Sequence, residues 1–98
     1  MSLTIVVATN VESRFHGFLA SAMVEVAPGV YVSPRLNRDA RERMWSAISD
    51  WHAHIQHGTI LMLWRDKSCP GAIAVNTLGI PRRDLVDSDG ILLTRNKI

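Results

Sequence analysis

The sequence predicts an α+β sandwich, in which two helices cover one face of a mainly antiparallel sheet. Short β-branched runs alternate with two longer segments that carry an apolar residue at every third or fourth position, a spacing typical of amphipathic helices. The order is β-α-β-α-β-β, followed by a short C-terminal strand. The chain has 98 residues, 47% of them hydrophobic and 20% charged, which indicates a single domain over residues 1–98. So small a core favours self-association, and we expect a homo-oligomer.

The chain begins with a predicted strand and helix. The continuous apolar run Leu3–Ala8 predicts a central strand that is buried on both faces. We expect Asn10 to cap the helix that follows, with Glu12 in its first turn, where the positive end of the helix dipole favours an acid. Apolar residues recur at helical spacing over Val11–Val26, and Pro28-Gly29 ends the pattern.

A second unit of this kind follows. Val30–Val32 is a predicted strand, which Ser33-Pro34 breaks. Asn37 is the expected N-cap of a helix that runs over Arg38–Gln56, with its apolar residues opposite a charged face. His57-Gly58 ends this helix.

Three predicted strands complete the chain. Thr59–Trp64 and Ala72–Thr77 flank a polar loop, and Ile91–Thr94 is the last strand. The region Leu78–Gly90, which holds glycine, proline and three aspartates, is expected to be irregular. Two helices of similar length inserted between these strands predict a ferredoxin-like sandwich.

The charge balance does not identify a partner. Lys and Arg total 11 against 9 Asp and Glu, and the surplus of +2 divides evenly between the two halves of the chain. Arg outnumbers Lys nine to two. That bias suits bidentate phosphate contacts, but a GC-rich genome gives the same bias. The net charge alone therefore does not indicate nucleic-acid binding.

Cysteine usage and the N-terminal residues predict the compartment. Cys69 is the only cysteine, so one chain forms neither an internal disulfide nor a thiolate metal cluster. The N-terminal apolar run ends at Ala8, so it is too short for a membrane span, and it lacks the basic flank of a signal peptide. We expect a soluble cytoplasmic protein with no membrane partner.

Two segments are candidates for phosphate binding. The first is the turn Thr9-Asn10, where helix N–H groups, Arg14 and His16 can meet an anion; the alternative is plain capping with a solvated arginine. The second is Pro81-Arg82-Arg83-Asp84, whose adjacent arginines can reach two phosphates of one strand. The alternative is a solvated loop in which these arginines pair with its own acid or with Asp87.

No segment predicts a self-contained active site. His52 and His54 point about 200° apart on a helix and cannot share a metal. His54 and His57 are three apart and could share one, but no carboxylate lies beside them at ligand spacing, and solvated helix-end histidines explain all three. The run Asp87-Ser88-Asp89-Gly90 is typical of a turn and lacks the glutamate of a calcium loop. Cys69 has no nearby histidine base that would make it a nucleophile. From these candidates together, we expect no catalytic residues and no metal ligands.

Four motifs stand out in combination. They are Gly29-Val30-Tyr31-Val32, Arg41-Glu42-x-x-Trp45, Gly79-x-x-Arg82-Arg83 and Val86-Asp87-x-Asp89-Gly90. In their order and in the loop lengths between them, they resemble the small CRISPR-associated adaptation protein, Cas-two, in its type I-E form. The likeness runs from the first strand to the last, which is nearly the whole chain.

The resemblance implies a structural role in spacer acquisition. Members of the family are ferredoxin-like protomers that dimerise through their sheets. In type I-E systems the homodimer bridges two dimers of the integrase, Cas-one, and supports the protospacer duplex DNA, while the integrase performs the chemistry. The C-terminal segment docks on the integrase. Here it corresponds to about residues 84–98, including Ile91, Leu92 and Leu93.

The resemblance also implies which residues contact DNA. Position by position, these are Asn10, Arg14, His16, Arg82 and Arg83, and they coincide with the two candidate phosphate sites. His16 departs from the family pattern, which has arginine at this position. A neutral imidazole can donate a hydrogen bond to phosphate but brings no fixed charge.

The competing function is a Mg²⁺-dependent endonuclease that acts on RNA or DNA as a homodimer. Many members of the wider family hold Mg²⁺ with an aspartate at the end of the first strand. This chain has Ala8-Thr9-Asn10 there, which offers only neutral oxygens, and the nearest acid in sequence is Glu12. We therefore expect weak or absent nuclease activity and no tightly bound cofactor, with Mg²⁺ needed only if the protein is a nuclease.

Overall fold

The computed structural model of the protein describes residues 2–80 and 84–95. Seven strands and two helices follow one another in these residues, with a short 3₁₀ turn at Pro70–Ala72. In chain order they are β1 (Ser2–Thr9), α1 (Ser13–Ala22), β2 (Val24–Ala27), β3 (Val30–Leu36), α2 (Arg38–Ile55), β4 (Thr59–Arg65), β5 (Ile73–Leu78), β6 (Asp84–Ser88) and β7 (Ile91–Arg95).

Five of the strands form one sheet, in the order β2-β3-β1-β4-β5. Every neighbouring pair is antiparallel. The elements from β1 to β4 follow the β-α-β-β-α-β arrangement of the ferredoxin-like fold. β5 extends the sheet beside β4, and β6 pairs with β7 as a separate antiparallel hairpin. The predicted fold class is confirmed.

Both helices pack on the same face of the sheet. Val6 and Ala8 of β1 are buried on this face, and successive strand residues alternate between faces. Directly paired residues share a face, so their partners Tyr31, Ile60 and Met62 are buried there as well. The helices bring four buried side chains to the same core: Phe15, Leu19, Met44 and Ile48.

The opposite face of the sheet, which we call the open face, is apolar but only half-buried. The prediction that β1 is buried on both faces is wrong here, because both helices lie on the other face. The margin of the open face is still more exposed, with Leu3 at 49% and Val24 at 65%. Its central residues are Ile5, Val7, Val30, Val32, Leu61, Leu63, Ile73 and Val75.

The first helix begins later than the sequence predicts. Asn10 does not cap α1, because it adopts a left-handed backbone with φ 60° directly after β1. The N-cap is Glu12, which makes no side-chain cap hydrogen bond and is not in the first turn. Asparagine tolerates the left-handed conformation better than most residues, so it acts as a turn residue here.

Two strands occupy segments that the sequence predicts as helix or as irregular chain. Val24–Ala27 is β2 and pairs with β3; over so short a segment the helical and strand spacings coincide, which explains the error. Asp84–Ser88 is β6. It pairs with β7 across Asp89-Gly90, where both residues have positive φ, as a two-residue hairpin turn requires.

The strand β3 continues through Ser33-Pro34, where the sequence predicts a break. β2 pairs with β3 only as far as Val32, so the free edge beyond that residue needs no hydrogen bond from Pro34. On its other side β3 remains paired with β1, with a register shift between Ser2 and Thr4.

The second helix begins as predicted. The Asn37 side-chain oxygen accepts a hydrogen bond from the Ala40 N–H at 2.8 Å, and α2 ends before Gln56, which has a left-handed backbone. The predicted strands β4, β5 and β7 are confirmed to within one residue at each end.

Candidate nucleic-acid interface

Three chain segments meet where β1 finishes. The pairing register aligns the end of β1 with the start of β4 and the end of β5. A Cβ on Gly58 would lie 2.3 Å from the Asn10 carbonyl oxygen, and a Cβ on Gly79 would lie 2.4 Å from the Gly58 carbonyl oxygen. Only glycine permits such a close approach at positive φ. We call this region, formed by Asn10, Gly58 and Gly79, the Asn10 end.

His52 joins the Asn10 end to α2. Its Nε2 lies 3.1 Å from the Gly58 carbonyl oxygen, and because a carbonyl only accepts, the ring nitrogen donates. His52 is half-buried, so the expectation of a solvated histidine is wrong for this residue. His54 is exposed, with its Nδ1 2.7 Å from the Asp50 carbonyl oxygen. His52, and not His54, therefore supports the backbone at the Asn10 end.

Arg14 projects from the first turn of α1 into solvent, with a side chain that is 55% exposed. Its guanidinium lies 5.7 Å from the centroid of the Trp51 ring, which is in turn held edge-on by Phe15 and Phe18. The Glu12 carboxylate lies 3.9 Å away, and an ion pair this exposed contributes little. Arg14 is therefore oriented by an aromatic ring and still accessible to an anion.

His16 faces a different neighbour from Arg14. Residues two apart on a helix point about 200° apart. His16 Nδ1 lies 2.7 Å from the Tyr31 hydroxyl oxygen, on the side of α1 that packs on β3, whereas Arg14 lies beside α2. The structure thus places the two candidate side chains on separate sides of one helix.

Arg82 and Arg83 lie outside the described residues. The chain runs toward them from Gly79, which belongs to the Asn10 end, and from the exposed Ile80. Their assignment as DNA contacts stays a prediction.

The oxygen ligands near the Asn10 end do not fit a divalent cation. Thr9 and Asn10 offer neutral oxygens, and the Glu12 carboxylate lies 3.9 Å from the Arg14 guanidinium. In the described part of the chain, no three His, Cys, Asp or Glu side chains are grouped as metal ligands. The chemistry of this end, with an exposed amide and an exposed arginine, suits an anion.

The expected docking residues lie on the β6–β7 hairpin. Ile91 is 63% exposed, and Leu92 is half-buried. A Cβ added to Gly71 would come within 2.5 Å of the Leu92 side chain, so the hairpin packs on the Pro70–Ala72 turn. The side chain of Leu93 lies outside the described ones. Leu92 therefore contributes to holding the hairpin, and Ile91 faces solvent.

A second basic region, which the sequence analysis missed, lies at the opposite end of the sheet. There the end of β4 and the start of α2 border an open cleft of about 570 Å³. We call this region the Arg41 end. Its basic residues are separated along the chain, so no single motif signals them: Arg38, Arg41, Arg65 and Lys67.

Several charged groups of the Arg41 end are engaged within the chain. The Arg41 guanidinium lies 4.3 Å from the centroid of the Trp64 ring, and Arg38 pairs with Glu42 at 3.1 Å. The side-chain and backbone hydrogen bonds of Ser68 lower the pKa of the Asp66 carboxyl, which keeps a negative charge in the cleft.

A protein-family model described as CRISPR-associated protein (Cas_Cas2CT1978) matches residues 3–93. The chain belongs to this family. The match covers every described element from β1 to the start of β7, so the family resemblance seen in the motifs is confirmed. No helix in the described ranges of this CRISPR-associated protein has both the length and the apolar character needed to cross a membrane.

Proposed function

We propose that this CRISPR-associated protein is a DNA-binding structural subunit of the spacer-acquisition complex. In this role it is a homodimer that bridges integrase (Cas-one) dimers and supports protospacer duplex DNA. The observation that carries the proposal is the Asn10 end. There the backbone of the exposed Asn10 lies against Gly58, which in turn lies against Gly79. The exposed Arg14 follows Asn10 by four residues, and Arg82 and Arg83 follow Gly79 in the sequence.

The chemistry of the Asn10 end suits a phosphate backbone. Arginine forms bidentate, charge-assisted hydrogen bonds with phosphate oxygens, and the Asn10 amide offers a neutral donor. The Gly58 and Gly79 contacts fix the backbone around Asn10. Contacts of this kind position a duplex without reading its sequence, as a subunit that supports many different protospacers requires.

The open face supports the homodimer. Eight apolar residues from four adjacent strands are only half-buried within one protomer, and monomers rarely expose contiguous apolar patches of this kind. A second copy placed face to face would bury them and would double the number of Arg14, Arg82 and Arg83 side chains available to one duplex. The modest surplus of +2 per chain is then compatible with binding DNA.

The hairpin supports integrase docking by the segment of about residues 84–98. β6 and β7 form a unit separate from the main sheet, and Ile91 presents an apolar side chain to solvent. Packing of Leu92 against Gly71 sets the position of the hairpin on the protomer. An exposed apolar residue on a separate hairpin suits a protein contact.

The proposal is tested by reconstituting the protein with its integrase partner and measuring affinity for a duplex by fluorescence anisotropy at several salt concentrations. We expect specific loss of affinity for Arg14→Ala and for Arg82→Ala/Arg83→Ala, and loss of complex formation for Ile91→Asp. The exposed Arg43→Ala serves as the matched control. Complexes in which all of these variants bind duplex and integrase like the wild type would refute the proposal.

Dimerisation is tested separately by sedimentation. Leu61→Glu places a charge in the middle of the open face and is expected to yield monomers, because an unpaired charge in a buried interface is strongly unfavourable. Ala53→Glu places the same charge on the exposed side of α2 and should remain dimeric. Circular dichroism verifies that both variants fold. A Leu61→Glu protein that is folded and dimeric contradicts this interface.

A further inference from the structure

Two neighbouring cavities open at the Arg41 end. The larger is the cleft of about 570 Å³ between the end of β4 and the start of α2. The smaller, of about 270 Å³, is lined by α2, β4 and β5. Arg41, Glu42 and Trp64 line both cavities, so one small ligand can reach into the two of them at once.

The smaller cavity has the side chains that bind a nucleobase. Trp45 and Trp64 line it with aromatic surface, and every base has a flat face that stacks on such rings. The Asn76 amide also lines it and offers both a donor and an acceptor. In the described part of the chain, no side-chain hydrogen bond engages that amide. A planar ring with polar edges therefore matches this lining.

The larger cleft has the charge that binds a phosphate. Four basic side chains line it against two acids. Both acids are engaged, since Glu42 pairs with Arg38 at 3.1 Å and Asp66 accepts two hydrogen bonds from the loop after β4. Arg65 and Lys67 are exposed, and among the described residues neither takes part in an ion pair. These two side chains are therefore available to phosphate oxygens.

The Arg41 end is too far from the Asn10 end to share a ligand group with it. β4 begins opposite Thr9 and reaches Trp64 five residues later, which is roughly 17 Å at about 3.4 Å per residue. A duplex presents only the edges of its bases in its grooves, so paired bases do not stack on the tryptophan rings. The ligand that fits the Arg41 end is therefore a nucleotide that is not base-paired.

We propose that the Arg41 end is a binding site for an unpaired nucleotide, with the base in the smaller cavity and the phosphate on Arg65 and Lys67. The Arg41 guanidinium, which lies 4.3 Å from the centroid of the Trp64 ring, stands where the two cavities meet. A free nucleoside phosphate and a nucleotide of a single strand share this chemistry. The site is separate from the proposed duplex contacts and does not depend on them.

Binding is measured on the purified protein by quenching of tryptophan fluorescence. A Trp51→Phe background removes the ring beside Arg14, so the remaining tryptophans, which both line the smaller cavity, give the signal. The probes are adenosine monophosphate and a short single-stranded deoxyadenosine oligomer, with inorganic phosphate as competitor. We expect at least one nucleotide probe to bind, and inorganic phosphate to compete only weakly because it leaves the smaller cavity empty.

The two nucleotide probes distinguish the sources of the ligand. Tighter binding of the oligomer identifies a single strand, and tighter binding of the monophosphate identifies a free nucleotide. If neither probe quenches the fluorescence, or if inorganic phosphate competes as well as adenosine monophosphate, the proposal is overturned.

Two variants test the two halves of the site. Ser46→Phe fills the smaller cavity from an exposed position on α2 and leaves every basic residue in place. It should lower nucleotide affinity roughly tenfold, because the base loses its stacking partners. Arg65→Ala/Lys67→Ala should lower it roughly three- to tenfold, and less at high salt. Arg43→Ala, which removes a charge of α2 outside both cavities, is the control and should bind like the wild type.

Each half of the site can fail on its own. If Ser46→Phe binds nucleotides like the wild type, the base does not use the smaller cavity and the proposal is wrong. It is equally wrong if Arg65→Ala/Lys67→Ala weakens binding no more than Arg43→Ala does. Neither result affects the proposed duplex contacts, because Arg14→Ala should leave nucleotide binding unchanged while it weakens duplex binding.

Discussion

The two ends of the sheet carry basic side chains in different settings. The Arg41 end has four described basic residues around an open cleft, yet Arg38 pairs with Glu42 and Arg41 lies over Trp64. Near the Asn10 end the described arginine is Arg14, which follows Asn10 by four residues and lies over the Trp51 ring. The number of basic residues alone therefore favours the Arg41 end, although the family resemblance assigns no DNA contact to it. Because Arg14 and Arg41 both lie over a tryptophan ring, the comparison teaches that neither the number of cations nor their aromatic contacts distinguishes the two ends, and that binding by variants of each end must.

The largest effect is expected from Arg82→Ala/Arg83→Ala. Ion pairs at a protein surface contribute about 0.2–1 kcal/mol each, so removal of two per protomer, four in the homodimer, should lower duplex affinity on the order of 100-fold at low salt. The salt dependence should become shallower by about 0.9 in the slope of log K against log salt for each phosphate that the variant no longer neutralises. Fluorescence anisotropy of the reconstituted complex over a salt series measures both quantities.

The control for this variant is Arg65→Ala/Lys67→Ala, which removes the same charge from the Arg41 end, where both side chains are exposed. We expect less than roughly a threefold change, since distant surface charges are screened by salt. Equal decreases in affinity for the two double variants would mean that overall charge, and not the Asn10 end, determines binding.

Next in size is the effect of Gly58→Ala on the free energy of unfolding. The added Cβ would lie 2.3 Å from the Asn10 carbonyl oxygen and 2.6 Å from that of Thr9, at φ +80°. We expect a decrease of about 3–4 kcal/mol, because both neighbours are backbone atoms that cannot move aside and the left-handed conformation is itself strained. Urea denaturation at fixed protein concentration measures the decrease.

Gly90→Ala is the matched variant for this measurement. Its φ of +84° is similar, but an added Cβ would meet no atom within 4 Å. The expected decrease is only about 1–2 kcal/mol, from backbone strain alone. If the two glycine variants are destabilised equally, the close packing of the Asn10 end is not what makes Gly58 necessary.

A smaller effect is expected from Arg14→Ala. Removal of one exposed phosphate contact per protomer should lower duplex affinity roughly three- to tenfold, with little change in stability, because the ion pair with Glu12 is exposed. Arg43→Ala, on the exposed surface of α2, removes the same charge and should bind DNA normally. Weaker binding by both variants to the same degree would argue against a specific contact at Arg14.

The smallest expected effect concerns nuclease activity. Highly purified protein incubated with RNA or duplex DNA should show no cleavage that depends on Mg²⁺ and disappears with a chelator, because Thr9 and Asn10 provide only neutral oxygens. Asn10→Ala prepared in parallel reveals any contaminating nuclease, since its background should equal that of the wild type. Robust turnover that Asn10→Ala abolishes would place a catalytic centre at the Asn10 end.

The local patterns predicted most of the fold. The Asn37 cap, the second helix and the strands β4, β5 and β7 follow from residue types at fixed spacing. The errors have physical reasons. β2 is too short for its spacing to distinguish strand from helix, and Asn10 suits a cap and a left-handed turn equally well. β6 could have been predicted, because an Asp-Gly pair such as Asp89-Gly90 is typical of the turn in a two-stranded hairpin.

The candidate site was less predictable than the fold. Sequence and family resemblance point to Asn10, Arg14 and His16 as a group, whereas the structure turns the last two to different neighbours. The Trp51 ring beside Arg14 and the Gly58 support for Asn10 lie far along the chain, and no motif connects them. Such contacts depend on helix crossing and strand register, which a linear pattern does not contain.

The sequence by itself determined the class of fold, the family and the kind of residue available for binding phosphate, because periodicity, caps and motifs are local properties of the chain. Only the tertiary structure decided that one face of the sheet stays open and that Arg38 and Arg65 share a cleft. It also decided that His16 Nδ1 lies within hydrogen-bond distance of the hydroxyl of Tyr31, 15 residues away. These outcomes depend on which distant segments the register and packing bring together, and therefore on the fold as a whole.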